Sequence, residues 1–100
     1  MIYVGIDVAK DKHDCFITNS DGEALFKSFT IPNNRKGFET LFQKVQSVSD
    51  DLTKVKVGLE ATGHYSYNLL GFLLDKGLPT YVINPVSYTH LRAHETLSDL

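Results

Sequence analysis

The stretch Ile2-Tyr3-Val4-Gly5-Ile6-Asp7-Val8-Ala9-Lys10 constrains the fold more than any other part of this chain. Its β-branched and aromatic residues form a near-continuous apolar run, the mark of a buried central strand. One carboxylate, Asp7, interrupts the run near its end, with apolar neighbours on both sides. A buried carboxylate left unpaired costs on the order of several kcal/mol, so such a site must supply a partner. A divalent cation is the natural one, because carboxylates are the hard oxygen ligands that Mg²⁺ prefers. The plainer reading is that Asp7 ends the strand and caps a turn. On this stretch alone both stay open.

The rest of the chain supplies the company this strand needs. Asp11-Lys12-His13-Asp14 is polar and short and reads as a turn, and Cys15 to Asn19 reads as a second strand. Ser20-Asp21-Gly22-Glu23 is a hairpin signal, since Asp-Gly tolerates the positive φ of a tight turn. Ala24 to Ile31 alternates only partly but has the residue types of a third strand, giving an antiparallel meander. Asn34 is placed to cap a helix from Arg35, whose apolar positions Phe38, Leu41, Phe42, Val45 and Val48 share one face. Val55 to Glu60 is a short strand and, like the first, it finishes in a carboxylate. Tyr65 to Asp75 is a second helix with Gly77 as its C-terminal cap. Leu78 to Ile83 is a last strand, stopped by Asn84-Pro85. The order is β-β-β-α-β-α-β, a mixed sheet of the α/β class. A right-handed crossover through the first helix lets the strands ending at Asp7 and Glu60 lie side by side in parallel. Adjacent strands are about 4.8 Å apart, so the two carboxylates can share one ion.

Composition narrows the function classes. One hundred residues with 42% hydrophobic content make one small domain. No run approaches the roughly 18 apolar residues of a membrane span, and no basic segment precedes the first apolar run as in a signal peptide. The single cysteine, Cys15, excludes an internal disulfide framework and fits a reducing cytoplasm. Its mid-strand place makes it a core residue rather than a nucleophile. A net charge of −2 argues against nucleic-acid binding through bulk positive charge. It leaves room for a nuclease-like domain whose active site is acidic.

Three segments taken together resemble a known family. Gly5-Ile6-Asp7-Val8-Ala9-Lys10, Gly58-Leu59-Glu60-Ala61-Thr62-Gly63-His64-Tyr65 and Val82-Ile83-Asn84-Pro85 look like the N-terminal half of the DEDD-type insertion-sequence transposases. This is the group numbered one hundred and ten, related to Piv-type DNA invertases. The resemblance covers roughly residues 1–85, in the expected order and spacing. It implies a ribonuclease-H-like (RuvC-like) fold, incomplete at its C-terminus. It also implies four acidic ligands for Mg²⁺ or Mn²⁺, with Asp7 matching the first acid and Glu60 the second, as catalytic and metal-binding residues. The third and fourth acids belong to an Asp-x-x-Asp segment downstream of Asn84-Pro85, and no such segment follows here. A further domain with a serine nucleophile is also missing. The implied partners are DNA, a structured guide RNA encoded by the element, and further copies of the protein. The implied setting is the cytoplasm of a bacterium or archaeon.

Residues near the acids carry competing readings. Lys10 touches a phosphate or pairs with Asp11 or Asp14. His64 binds substrate or assists proton transfer, or is an exposed residue at a helix N-terminus. Thr62 and Gly63 shape the turn. Tyr65 and Tyr67 stack on bases or pack the helix. With only two of four carboxylates, the chain holds at most one ion, and is expected not to cleave or join DNA alone.

Residues 86–100 break the pattern abruptly. Val86 to Thr96 resembles a translated sequencing-library adapter, so 1–85 reads as the RuvC-like part and 86–100 as a non-native tail. His90, His94 and Glu95 therefore receive no role despite their metal-like spacing. Other functions remain beside the recombinase. An actin-like ATPase fragment also opens on a strand ending in Gly-Ile-Asp, although Val8-Ala9-Lys10-Asp11 lacks the glycine of a phosphate loop. A Holliday-junction-resolvase-like nuclease and a fragment that binds nothing are the remaining two.

Overall fold

Alternation, rather than a continuous apolar surface, organises the first strand. In β1 (Ile2–Val8), Val4, Ile6 and Val8 are buried, while Tyr3 and Asp7 are exposed. The computed structural model describes residues 1–60 and 65–83. Expectations for Ala61 to His64, for Asn84-Pro85 and for 86–100 lie outside the described residues. The other strands are β2 (Lys12–Asn19), β3 (Ala24–Pro32), β4 (Val55–Glu60) and β5 (Thr80–Ile83). The helices are α1 (Arg35–Val48) and α2 (Tyr67–Asp75), and a single 3₁₀ turn at Leu52–Lys54 leads into β4. The element order matches the sequence expectation.

The strands form one sheet in the order β3-β2-β1-β4-β5. β1 is antiparallel to β2 and parallel to β4, β2 is antiparallel to β3, and β4 is parallel to β5. The central strand is thus β1, as its composition implied. Its burial is one-sided, however. Val4, Ile6, Cys15, Ile17, Ile31, Val57 and Leu59 join Phe38, Leu41, Val45, Leu69 and Leu73 in a single core cluster. Both helices therefore pack on one face. On the other face Tyr3, Phe16, Tyr81 and Ile83 are 42–56% exposed, with no described residue over them.

Two local differences have plain causes. β2 begins at Lys12, so Asp11 to Asp14 is only partly a turn. The inward residues His13, Cys15 and Ile17 keep the two-residue period back to the start of the strand. β3 alternates poorly because it is bulged: Cys15 pairs with Phe29 but Ile17 with Phe26, so an extra residue is inserted. The bulge lets Phe26 and Phe29, three apart, both pack against the core.

Helix ends follow their capping chemistry. The Asn34 side chain accepts a hydrogen bond from the Gly37 N–H at 2.8 Å, as its position before α1 implied. At the end of α2, Gly77 has φ +78. Its N–H donates to the Leu74 carbonyl, and the Leu78 N–H reaches back to Leu73. That pair of bonds is a Schellman cap, which needs a left-handed residue and so favours glycine. α2 begins at Tyr67, with Ser66 in the cap position, two residues later than its apolar pattern implied. No helix among the described residues is long and apolar enough to cross a membrane.

Candidate active site

Parallel pairing of β1 with β4 sets the site. The register matches Gly5 with Gly58, Ile6 with Leu59 and Asp7 with Glu60. Both acids are exposed, and both stand at the C-terminal ends of their strands on the uncovered face. On the other side of Asp7, the antiparallel register places Asp14 directly opposite. One row across the sheet thus reads Asp14, Asp7, Glu60, Ile83. The row beneath it reads Phe16, Gly5, Gly58, Tyr81.

The lower row makes a trough. A side chain on Gly5 would run into the Phe16 ring, so the aromatic ring lies across the strand at that point. Above Gly58 nothing lies within 4 Å. A cavity of about 520 Å³ fills this space, with Asp7, Asp14 and Glu60 along one side and Phe16 and Ile83 among its walls. Another cavity, of about 570 Å³, lies on the helix side between Arg35, Phe38, Asn68 and Phe72. Its cation Arg35 is already paired with Glu39 at 3.3 Å and stacked 5.3 Å over Phe72. Nothing there calls for a ligand as the acids do.

The structure corrects the premise about Asp7. Its carboxylate is exposed, so no desolvation cost demands a partner. Like charges on directly opposed residues are destabilising all the same, and Asp7 has one on each side. Among the described residues the one ion pair is Arg35–Glu39, so no cation forms a salt bridge with the row. Asp14 is partly engaged elsewhere: its Oδ1 accepts a hydrogen bond from the Thr30 hydroxyl at 2.9 Å. No three described His, Cys, Asp or Glu side chains converge closely enough to hold an ion. The adjacent pair Asp7 and Glu60 remains as the candidate donor set. Asp14 was missed in the sequence because it was placed in a turn. Counting the two-residue period back from Ile17 would have put it on the outward face.

Lys10 is exposed in the β1–β2 turn, and its carbonyl accepts from the Asn33 side chain at 2.8 Å. It pairs with neither Asp11 nor Asp14 among the described contacts. His64 lies outside the described residues. Cys15 is 1% exposed, and burial pushes its thiol up to about 12, which fits a core residue and not a nucleophile.

A family model described as a transposase, of the DEDD insertion-sequence type, matches residues 4–99. The chain belongs to the DEDD-type insertion-sequence transposases. This transposase chain is 32% identical over 92 residues to the pilin gene-inverting protein of Moraxella lacunata, a match covering 91% of the chain and 27% of that protein. The corresponding protein of Moraxella bovis is 30% identical over the same length. The chain thus spans about a quarter of the length of these curated relatives. RuvC of T. thermophilus, solved with a Holliday junction substrate, superposes with a TM-score of 0.55 at 10% identity, covering 93% of this chain and 72% of that one. A Bacteroides thetaiotaomicron protein with an actin-like ATPase fold gives 0.67 at 16% identity, covering 84% and 33%. At such identities both show the fold alone. The fold of the transposase chain is α/β and RuvC-like.

One buried histidine sits close to the acid end of the sheet. His13 is fully buried, and its Nδ1 accepts a hydrogen bond from the Ala9 N–H at 3.2 Å. Burial lowers its pKa below the ordinary 6.5, against smaller upward pulls from Asn33, the Lys12 backbone and Asp14. His13 is therefore neutral in the folded chain, while the unfolded chain takes up a proton as the pH falls below 6.5. Its contribution to stability is complete above about that pH and is lost as the pH drops toward the folded value. Urea unfolding of the chain and of His13→Leu between pH 7.5 and 5.5 checks this. The wild type is expected to show the steeper loss of stability as the pH falls. Equal slopes would contradict the assignment.

Proposed function

We propose that this chain is the acid-bearing N-terminal part of a DNA recombinase, in which Asp7 and Glu60 hold a divalent cation, Mg²⁺ or Mn²⁺, at the strand to be cut. The observation that carries the reading is the register pairing of the two acids at the ends of adjacent parallel strands, on the uncovered face. Two hard oxygen donors about one strand spacing apart suit an ion that keeps most of its waters. Such an ion, when bound, would neutralise charge developing on phosphate oxygens during strand exchange. The carboxylates hold it, and the open floor above Gly58, beside the Phe16 ring that covers Gly5, leaves room for a nucleic-acid backbone to approach. Lys10, exposed just past Asp7, is the group placed to touch a neighbouring phosphate, with His64 as a further candidate.

Family membership supports DNA as the substrate, and the relatives' name, pilin gene-inverting protein, fits an enzyme that rearranges DNA. A guide RNA and self-association belong to the same proposal for the whole protein, at work in a prokaryotic cytoplasm. The actin-like likeness brings no phosphate loop with it, since the β1–β2 turn contains no glycine.

Mn²⁺ titration of this chain tests the pair. The wild type is expected to bind one ion weakly, and Glu60→Gln to weaken binding about tenfold or more, in line with losses at metal sites. The chain by itself is expected not to nick supercoiled DNA in Mg²⁺. Equal Mn²⁺ affinity in the wild type and Glu60→Gln would remove the proposal.

A further inference from the structure

Three backbone groups of the turn after Asp7 are tied down by two residues, His13 and Asn33. His13 Nδ1 accepts from the Ala9 N–H at 3.2 Å. Asn33 Nδ2 donates to the Lys10 carbonyl at 2.8 Å, and the Asn33 N–H donates to the Asp11 carbonyl at 2.9 Å. The two anchors also face each other. His13 Nε2 and Asn33 Oδ1 are the two buried side-chain polar atoms without a close partner among the described residues, and they are complementary, one a donor and one an acceptor. With Nδ1 accepting, the ring proton belongs on Nε2, where Asn33 Oδ1 can take it. The ring is held from its other side by Phe38, stacked at 6.3 Å and 14°.

This arrangement is more than the fold needs. His13 lies between Val8 and Ile31 in the sheet and against Phe38 of α1, an environment where leucine or phenylalanine would bury no polar atom. Ala9, Lys10 and Asp11 are exposed, so water could satisfy their backbone groups. A buried imidazole used there instead gives definition to the turn, and the turn begins two residues after Asp7. Ligands hold a metal well only when their supporting groups are fixed to within about 0.5 Å.

Resting on the metal reading above, we infer that His13, together with Asn33, is a positioning residue for the Asp7 carboxylate: it locks the β1–β2 turn so that the end of β1 presents Asp7 beside Glu60 at a set height. It touches neither ion nor substrate. Its effect passes through the Ala9 N–H and the backbone of the strand end.

The test is Mn²⁺ binding to the whole chain, read from the signal of free Mn²⁺, combined with amide hydrogen exchange. His13→Phe keeps an aromatic ring against Phe38 and removes the acceptor. It is expected to bind Mn²⁺ about tenfold more weakly, with faster exchange at Ala9 and unchanged protection in β4. His13→Asn places an amide oxygen where Nδ1 stood and is expected to recover most of the affinity, which a merely structural role would not produce. Asn33→Ala changes the turn from outside the core and should weaken binding in the same direction, keeping the test open if His13→Phe folds poorly. Wild-type affinity in both His13→Phe and Asn33→Ala overturns the inference. Wild-type binding no tighter than that of Asp7→Ala is a separate result: it removes the metal reading itself, and the positioning role with it.

Discussion

Substituting Asp7 by asparagine is expected to abolish strand cleavage by the full-length recombinase while making this domain slightly more stable. The first effect follows from the proposed metal role, in which Asp7 is a charged ligand beside Glu60. A cation's stabilisation of a phosphoryl-transfer transition state is worth several kcal/mol, and about 4 kcal/mol is about a thousandfold in rate. The second follows from the row Asp14, Asp7, Glu60, in which Asp7 stands between two like charges and forms no ion pair among the described residues. Neutralising it removes both repulsions, worth about 0.5 kcal/mol together on an exposed surface. That raises the melting temperature by about 3 °C for a domain of this size, and less in high salt. The opposite signs are the diagnostic part. A residue that only closed a turn would lose stability when changed and leave catalysis alone. Melting curves of the variant chain at low and high salt, beside cleavage assays of the full-length variant, read both effects. A variant that cleaves at the wild-type rate would refute the role assigned to Asp7.

The two helical glycines should respond to alanine with opposite signs. In a helix interior alanine is ordinarily preferred by about 0.5–1 kcal/mol. Gly71 of α2 follows that rule, because nothing lies within 4 Å of where its Cβ would stand. Gly37 of α1 does not. A Cβ there would overlap the Pro32 carbonyl oxygen and stand 2.9 Å from two carbons of the Pro32 ring. The obstacle is backbone, so relief requires moving the junction between β3 and α1. Overpacking of this kind costs about 2 kcal/mol, which lowers the melting temperature by about 10 °C. The same junction carries Asn33 and the Asn34 cap. Gly37→Ala should therefore also speed amide exchange at Ala9, where Gly71→Ala should not. Equal melting temperatures for Gly37→Ala and the wild type would mean that α1 seats less closely on β3 than described.

Much of this molecule could be read from one dimension. Element order, the Asn34 cap and the Gly77 stop depend on contacts within a few residues, so local chemistry specified them. The matched endings of Val55 to Glu60 and Ile2 to Asp7 were legible for the same reason: each is a short apolar run closed by an acid. Three features were not local. Asp7 looked buried because an apolar run signals a strand without saying whether one face of the sheet or both will be covered; here both helices pack on one side. Asp14 entered the acid row only through cross-strand register, which a misplaced turn boundary concealed. His13 became a buried, neutral anchor only when Asn33, twenty residues later, folded back onto the β1–β2 turn. Short-range hydrogen bonding and apolar periodicity are written into neighbouring residues, whereas register, one-sided burial and the meeting of distant side chains arise only when the strands pair and the helices choose a face.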